Sequence, residues 1–176
     1  RGDTENDSFN RLGLGARLNW REVSLLRAYA VYLRQIGFNS TTRFISDTLV
    51  HHLDITRNLV ALFKFNFDPR INKSEVLEHE RVERIQAKIL EALDDVENLN
   101  EDRVLRRYLD LINGTLRTNY FQKDEHGNDK NYISIKFSPR EIADIPEPRP
   151  LFEIFVCSPR VEGVHLRGGT VARGGL

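Results

Sequence analysis

The sequence of 176 residues has no methionine and only one cysteine, Cys157. A lone cysteine excludes an internal disulfide framework and is typical of proteins kept in a reducing cytoplasm. No apolar run approaches the roughly 20 residues that a membrane-spanning helix needs, and the first residues lack the basic flank and apolar core of a signal peptide. We therefore expect a soluble, cytoplasmic protein with no membrane partner.

An excess of charge of either sign is also missing, because 26 basic residues balance 26 acidic ones. A balanced chain sets up no overall field that favours nucleic acid or an anionic membrane surface. Hydrophobic residues make up 40% of the chain, which is enough to bury a real core. The length suits one domain, or one domain with an appendage.

Local patterns divide the chain into three parts, of which the second is helical. Residues 1–18 read as a linker with a short apolar anchor at Leu12, Leu14 and Leu18. From residue 19 to residue 117 we expect a helical domain, because apolar residues recur at helical spacing between capping residues and stops. The expected helices run from a capping box at Asn19 and Glu22 to Gly37, from Ser40 or Thr41 to His52, from a cap at Asp54 to Asp68, from a cap at Ser74, and from a cap at Asn100 to about Leu116.

The third part, residues 118–176, reads as β-rich. Tyr120–Phe121 and the run 132–137 flank a polar turn and predict a hairpin. Ser138–Pro139 predicts a short helical turn to Ile145, and the apolar runs 151–156 and 164–166 predict two further strands. The fold class is therefore α+β, mainly a helical bundle followed by a small β region. Strands this apolar need both faces covered, so we expect part of their core to come from sequence beyond Leu176 or from another chain.

Two Arg-Gly-Gly triplets, 167–169 and 173–175, are the most unusual feature. Glycine pairs let a backbone approach a ligand closely, and arginine offers a planar fork that matches a carboxylate or phosphate. One interpretation is an anion-binding loop after a strand, and another is a glycine-rich turn with solvated arginines. The spacing alone favours the turn. An RNA-binding tail is a third reading, which the apolar residues between the triplets make the weakest.

Other residues that could form a metal, nucleotide or catalytic site give weaker signals. The five histidines and Cys157 show no metal-ligand spacing, so we expect no metal site. Gly13-Leu14-Gly15 starts like a dinucleotide loop, but the third glycine is missing and a helix follows instead of a βαβ unit. Asp94–Asp95 is typical of a solvated helix end. The residues alone therefore predict a helical domain with a β extension and a possible anion loop.

Three blocks carry a resemblance to a known family. They are Leu18-Asn19-Trp20-Arg21-Glu22-Val23 with Leu26-Arg27-Ala28-Tyr29, the run 116–122, and the stretch from Phe152 to Leu176. The block Ser158-Pro159-Arg160-Val161-Glu162-Gly163-Val164-His165-Leu166-Arg167-Gly168-Gly169, followed by 171–176, is highly specific. With these blocks the chain resembles the large class of bacterial NAD-specific glutamate dehydrogenases over nearly all its length from about Leu18.

The resemblance implies an internal segment of a much longer subunit, namely the helical region and the first strands of the substrate lobe. A start at Arg1 and a stop at Leu176, directly after the motif-rich stretch, fit this expectation. The whole enzyme would deaminate L-glutamate oxidatively to 2-oxoglutarate and ammonia with NAD as cofactor. Its catalytic lysine and aspartate and its NAD-binding glycine loop would lie beyond Leu176, so this segment would be inactive alone.

The resemblance also suggests a substrate-binding loop. In the shorter glutamate dehydrogenases that loop reads Lys-Gly-Gly, then an apolar residue and arginine. Here Arg173, Gly174 and Gly175 would occupy it, with arginine in place of the lysine, and Arg167 to Gly169 would give structural support. The alternative is a non-catalytic helical module for interaction or oligomerisation, since the helices are apolar on several faces. Those faces also lead us to expect a homo-oligomer.

Overall fold

The computed structural model describes residues 8–71, 75–145, 147 and 149–168. A 3-10 turn at Ser8–Asn10 leads into a set of α-helices: α1 Arg11–Gly15, α2 Trp20–Gln35, α3 Thr42–His51, α4 Leu53–Phe67, α5 Glu75–Asp94 and α6 Leu99–Asn113. The strands follow as β1 Thr115–Thr118, β2 Ile133–Phe137, β3 Phe152–Cys157 and β4 Glu162–Arg167, with a 3-10 turn at Pro139–Glu141. The predicted class, a helical bundle followed by a small β region, is confirmed.

Local capping decides where several helices begin. The Asn19 side chain accepts the Glu22 N–H at 2.9 Å, and the Glu22 carboxylate accepts the Asn19 N–H at 2.9 Å, which confirms the predicted capping box. Thr41 caps α3 by accepting the Phe44 N–H at 3.1 Å. After α2 the chain turns at Gly37, whose φ of +83° is one that side chains other than glycine rarely adopt.

Other predicted boundaries were wrong by a few residues. Asn98, not Asn100, caps α6, and its side chain accepts the N–H groups of Asn100 and Glu101. Asp54 lies in the first turn of α4, where it complements the helix dipole instead of capping. The predicted cap Ser74 lies outside the described residues.

The stretch before α2 also differs from the predicted linker anchor. Phe9 and Leu12 are fully buried, whereas Leu14 is 92% exposed. A helical turn puts residues 12 and 14 on different sides, so only one of them can face the core.

The sheet is an antiparallel meander in the order β1-β2-β3-β4. Its first hairpin was predicted with one arm at Tyr120–Phe121, but β1 ends two residues earlier. The Asn119 N–H still donates to the Ser134 carbonyl at 3.2 Å, but its side chain accepts the Ser134 N–H at 2.7 Å and donates to the Tyr132 carbonyl at 3.3 Å, so side-chain bonds end the regular ladder there. The helical turn predicted from Ser138 to Ile145 is shorter, since only residues 139–141 form it and Ser138 makes no side-chain cap.

One face of the sheet packs against α2. The inward side chains Ile133, Ile135, Phe137 and Phe155 are buried in the same core as residues of the helices. The ring of Tyr32 stacks on Phe137 with centroids 4.2 Å apart, and its hydroxyl donates to the buried Glu153 carboxylate. The other face of β3 and most of β4 are half-buried or exposed, with Leu166 60% exposed at the edge.

Gly114 sits where α6 meets the segment after β2. A Cβ atom built there would lie 2.6 Å from Cγ1 of the buried Ile142 and 3.2 Å from the Asp110 carbonyl oxygen. Gly114→Ala should therefore overpack the core and lower the free energy of unfolding by about 1–3 kcal/mol. The measurement is urea denaturation, with Gly163→Ala as the matched control, because no heavy atom lies within 4 Å of a Cβ at Gly163. Equal stability of both variants would contradict this packing.

Tyr32→Phe tests the bond that ties α2 to β3. Loss of the hydroxyl leaves the buried Glu153 carboxylate without this donor, so the free energy of unfolding should fall by about 1–3 kcal/mol. Tyr132→Phe is the control, because Tyr132 is 36% exposed and should lose little. If Tyr32→Phe lowers the free energy of unfolding no more than the control does, the bond between Tyr32 and Glu153 does not stabilise the fold.

Glu101 joins α6 to the junction of α3 and α4. Its carboxylate contacts the His52 ring at 2.8 Å and the His51 ring at 3.1 Å, and the bond to His52 is the main cause that lowers the pKa of Glu101. A lowered folded-state pKa stabilises the protein above the unfolded pKa of about 4.3 and ceases to do so as the pH falls through the folded value. Denaturation across this range should show Glu101→Gln less stable than wild type at neutral pH and equal to it in acid. Glu97→Gln, an exposed control, should follow wild type throughout.

Candidate functional site

The predicted substrate-loop residues Arg173, Gly174 and Gly175 lie outside the described residues, as does Gly169. The structure does place the start of that segment. Arg167 is the last residue of the edge strand β4, and its carbonyl accepts the Leu151 N–H at 2.8 Å. Gly168 follows and is exposed. The segment that contains Arg173 therefore follows the edge strand in the sequence.

Other sites weighed from the sequence find no geometry in the described residues. There, no group of three or more histidine, cysteine or acidic side chains is placed to hold a metal ion. Gly13 and Gly15 belong to the short helix α1, and the described strands pair only antiparallel, without the parallel βαβ unit of a dinucleotide site. None of the helices in this part of the chain is both long and apolar enough to span a bilayer.

A cleft of about 620 Å³ lies at the other end of the sheet. It opens between the first two turns of α2, the loop that joins β1 to β2, and the turn between β3 and β4. Its lining combines charged, amide and hydroxyl side chains with two exposed aromatic rings, and consists of Trp20, Arg21, Ser24, Arg27, Lys123, Gly127, Asn128, Asp129, Asn131, Tyr132, Ile133, Cys157, Ser158 and Pro159. This volume is within the range of roughly 300–1,000 Å³ that is typical of small-molecule sites.

Arg21 forms the charged wall of the cleft. Its side chain is only 5% exposed, and its Nη atoms donate to the carbonyl oxygens of Lys130 and Tyr120, the latter at 3.1 Å. Its Nε is buried without a hydrogen-bond partner. Burial is the main cause that lowers the pKa of Arg21, with attraction to Asp129 acting against it. Carbonyl oxygens satisfy donors without neutralising charge, so a partly desolvated cation remains beside the cleft.

The remaining polar groups of the cleft are arranged around this cation. Lys123 and Asp129 pair across the loop at 2.6 Å, and the turn between them passes through Gly127, which has a φ of +81°. Arg27 is engaged elsewhere, since it donates to Asn10 at 3.3 Å and lies over the Phe9 ring. Among the described lining residues, Asp129 is the single acid, and it faces Lys123 instead of contacting Arg21.

Sequence reasoning missed this cleft, because its walls come from three segments far apart in the chain. In the sequence, Trp20 stood out as part of a block that carries the family resemblance, and nothing there indicated that this residue would be 51% exposed. The one local signal was a tryptophan and an arginine side by side in the first turn of a helix, which is too common to mark a site. The cleft lies at the N-terminal end of β4, whereas the predicted loop comes after the C-terminal end of β4 in the sequence.

Comparison with known proteins covers the whole chain. The family described as "Bacterial NAD-glutamate dehydrogenase, catalytic domain" matches residues 88–176, and "Glutamate dehydrogenase, helical motif 3" matches residues 4–69. The first match alone covers more than half of the chain.

Curated relatives carry the name NAD-specific glutamate dehydrogenase. The chain is 57% identical to the one from Pseudomonas aeruginosa over 176 residues, 54% to the one from Halomonas elongata over 175 residues and 43% to the one from Mycobacterium tuberculosis over 176 residues. Each alignment covers 99% of this chain but 11% of the relative, so the chain spans about a ninth of their length. The chain belongs to the bacterial NAD-glutamate dehydrogenase family.

Proposed function

We propose that this chain is a segment of an enzyme that converts L-glutamate, water and oxidised NAD to 2-oxoglutarate, ammonium and reduced NAD. The observation that supports this most is the identity of 43–57% with NAD-specific glutamate dehydrogenases across 99% of the chain. A catalytic-domain match over residues 88–176 supports a place at the start of the catalytic part. We also propose that the enzyme works in the cytoplasm, where a lone cysteine such as Cys157 stays reduced.

The described residues do not fit NAD themselves. They carry an antiparallel meander and separate helices, and they lack the parallel strand–helix–strand unit whose glycine turn holds a pyrophosphate. We assign no catalytic, cofactor-binding or metal-binding residue to this segment. The nucleotide site and the proton-transfer groups belong to other parts of the enzyme, and the segment acts as scaffold and as part of the substrate lobe.

Arg173, flanked by Gly174 and Gly175, is the residue we assign to the substrate. A guanidinium offers two parallel N–H donors that match a carboxylate, and the glycines leave room for the backbone to approach. L-glutamate and 2-oxoglutarate both carry two carboxylates. Compared with the lysine of shorter glutamate dehydrogenases, arginine keeps the positive charge and presents two N–H donors in one plane. We therefore expect a bidentate contact with one substrate carboxylate.

Subunit assembly is a separate part of the proposal. Apolar side chains remain exposed at several places on the described surface, including Leu99 at 72%, Val161 at 67% and Leu166 at 60%. Burial of such side chains against a second subunit would stabilise an assembly. We infer a homo-oligomer, and we retain the division into a linker to residue 18, a helical domain to residue 117 and a β-rich start of the catalytic domain as a prediction.

Arg173→Gln in the full-length enzyme tests the substrate assignment. Loss of a charge-assisted contact worth roughly 1.5–3 kcal/mol should raise the KM for glutamate by about tenfold or more, while the KM for NAD stays the same. The measurement is steady-state kinetics with each substrate varied in turn. Arg173→Lys should fall between wild type and Arg173→Gln, because it keeps the charge and loses the fork.

Arg140→Gln is the matched control, since Arg140 is an exposed arginine on the 3-10 turn after β2. Its kinetic constants should equal those of wild type. An unchanged KM for glutamate in Arg173→Gln would refute the substrate contact. Glutamate-dependent reduction of NAD by the 176-residue chain alone would refute the assignment of catalysis to other parts of the enzyme.

A further inference from the structure

We propose that the cleft between α2, the β1–β2 loop and the β3–β4 turn binds a small anion that carries a planar ring, of the chemical class of a nucleoside phosphate. The cleft lies at the end of β4 opposite Arg167 and Gly168. This binding goes beyond the proposed dehydrogenase function and does not depend on it.

The charge of Arg21 is the first reason. Arg21 is 5% exposed as a residue and its guanidinium is partly desolvated. Its hydrogen bonds in the described structure go to neutral carbonyl oxygens, and it lies 5.0 Å from the centroid of the Tyr120 ring, so no described group neutralises its charge by direct contact. A buried charge is stabilised by a counter-charge, and its absence is costly. Asp129 attracts Arg21 from a distance but is paired with Lys123. An anion in the cleft would supply the missing negative charge beside Arg21.

The aromatic rim is the second reason. Trp20 is 51% exposed beside the guanidinium of Arg21, which lies 5.8 Å from its ring centroid, and Tyr132 is 36% exposed on the facing loop. A half-exposed indole with a cation against it is a platform for a flat ring, and stacking of a base on such a platform contributes about 1–3 kcal/mol. Inorganic phosphate would pair with the charge of Arg21 but would leave the rings of Trp20 and Tyr132 uncovered.

The rest of the lining fits the polar parts of such a ligand. Asn128 and Asn131 bring amide donors and acceptors, and Ser24 and Ser158 bring hydroxyls, all on the wall of one cleft. Lys123 is 55% exposed on its side chain and can move from Asp129 to an incoming anion. Together these groups provide hydrogen-bond donors and acceptors around a net positive charge, which suits a sugar phosphate.

The chain supplies its own probe, because Trp20 is its single tryptophan. We expect AMP to change the emission of Trp20 saturably in the micromolar to low-millimolar range, with excitation at wavelengths that adenine does not absorb. Inorganic phosphate should compete with AMP without this change, and adenosine should bind more weakly than AMP. Alkylation of Cys157, the single cysteine, gives a second readout in the same cleft and should slow when AMP is bound.

Charge substitutions separate binding from damage to the fold. Arg21→Gln should weaken AMP about tenfold, as expected for the loss of one charged partner, whereas Arg117→Gln, an exposed arginine on β1, should bind as wild type does. Arg21 also donates to two loop carbonyls, so its substitution could disturb the loop itself. Lys123 and Asp129, which are paired with each other on the loop, therefore give an independent test. Lys123→Gln should weaken AMP several-fold, and Asp129→Asn should tighten it, since it frees Lys123 and removes repulsion. A gain of affinity is not a result that misfolding produces.

Several results would overturn the proposal. One is the absence of an AMP-dependent change in both Trp20 emission and Cys157 alkylation up to low-millimolar concentration. Another is equal affinity for adenosine and AMP, which would mean that the positive charge of Arg21 does not contribute to binding. A third is equal affinity for AMP in Lys123→Gln, Asp129→Asn and wild type. None of these outcomes bears on glutamate oxidation, so they leave the proposed function to its own test.

Discussion

The packing of α2 against the sheet is the contact on which the rest of the structure depends. Tyr29 and Tyr32 reach from one face of this helix into the sheet, where Tyr32 stacks on Phe137 and packs at 5.4 Å against Phe155. On the side of the helices, Tyr29 meets the rings of Phe63 and Tyr108 at 6.2 Å. One helix thus joins the bundle and the sheet in a single core, and it carries Trp20 and Arg21 to the cleft.

Hydroxyl groups fix the position of this helix, because apolar packing alone would allow it to slide. The Tyr29 hydroxyl bonds to Thr115 at 2.9 Å, the Tyr108 hydroxyl donates to the Leu26 carbonyl at 2.8 Å, and the Tyr32 hydroxyl donates to Glu153. Each bond is buried, so a shift of one residue would leave a polar group unpaired at a cost of about 1–3 kcal/mol. Burial also raises the pKa of Tyr29 and Tyr32 far above the ordinary value, which keeps both hydroxyls protonated and able to donate.

Features with a cause in neighbouring residues could be predicted from the sequence, whereas features that depend on distant residues could not. Asn19, Thr41 and Gly37 act on the backbone within a few residues, and their predicted roles are confirmed. The strand β1 was placed too late, because its end depends on Asn119 bonding to a segment 15 residues away. The choice between Asn98 and Asn100 as the cap depends on which turn of α6 packs inward. The cleft has no local cause at all, since residues near positions 21, 123 and 158 meet only after folding.

The two ends of β4 have different surroundings in the fold. At one end, the turn after β3 is held by the Ser158 N–H, which donates to the Val161 carbonyl at 2.8 Å, and forms a wall of the cleft. At the other end, Arg167 leads toward Arg173 from a strand paired along its whole length with β3. A strand rises roughly 3.3 Å per residue, so the six residues of β4 keep its two ends well apart. A ligand in the cleft would therefore act on the far end of β4 through the position of β4 on β3, which α2 sets by its contact with Glu153 and Phe155.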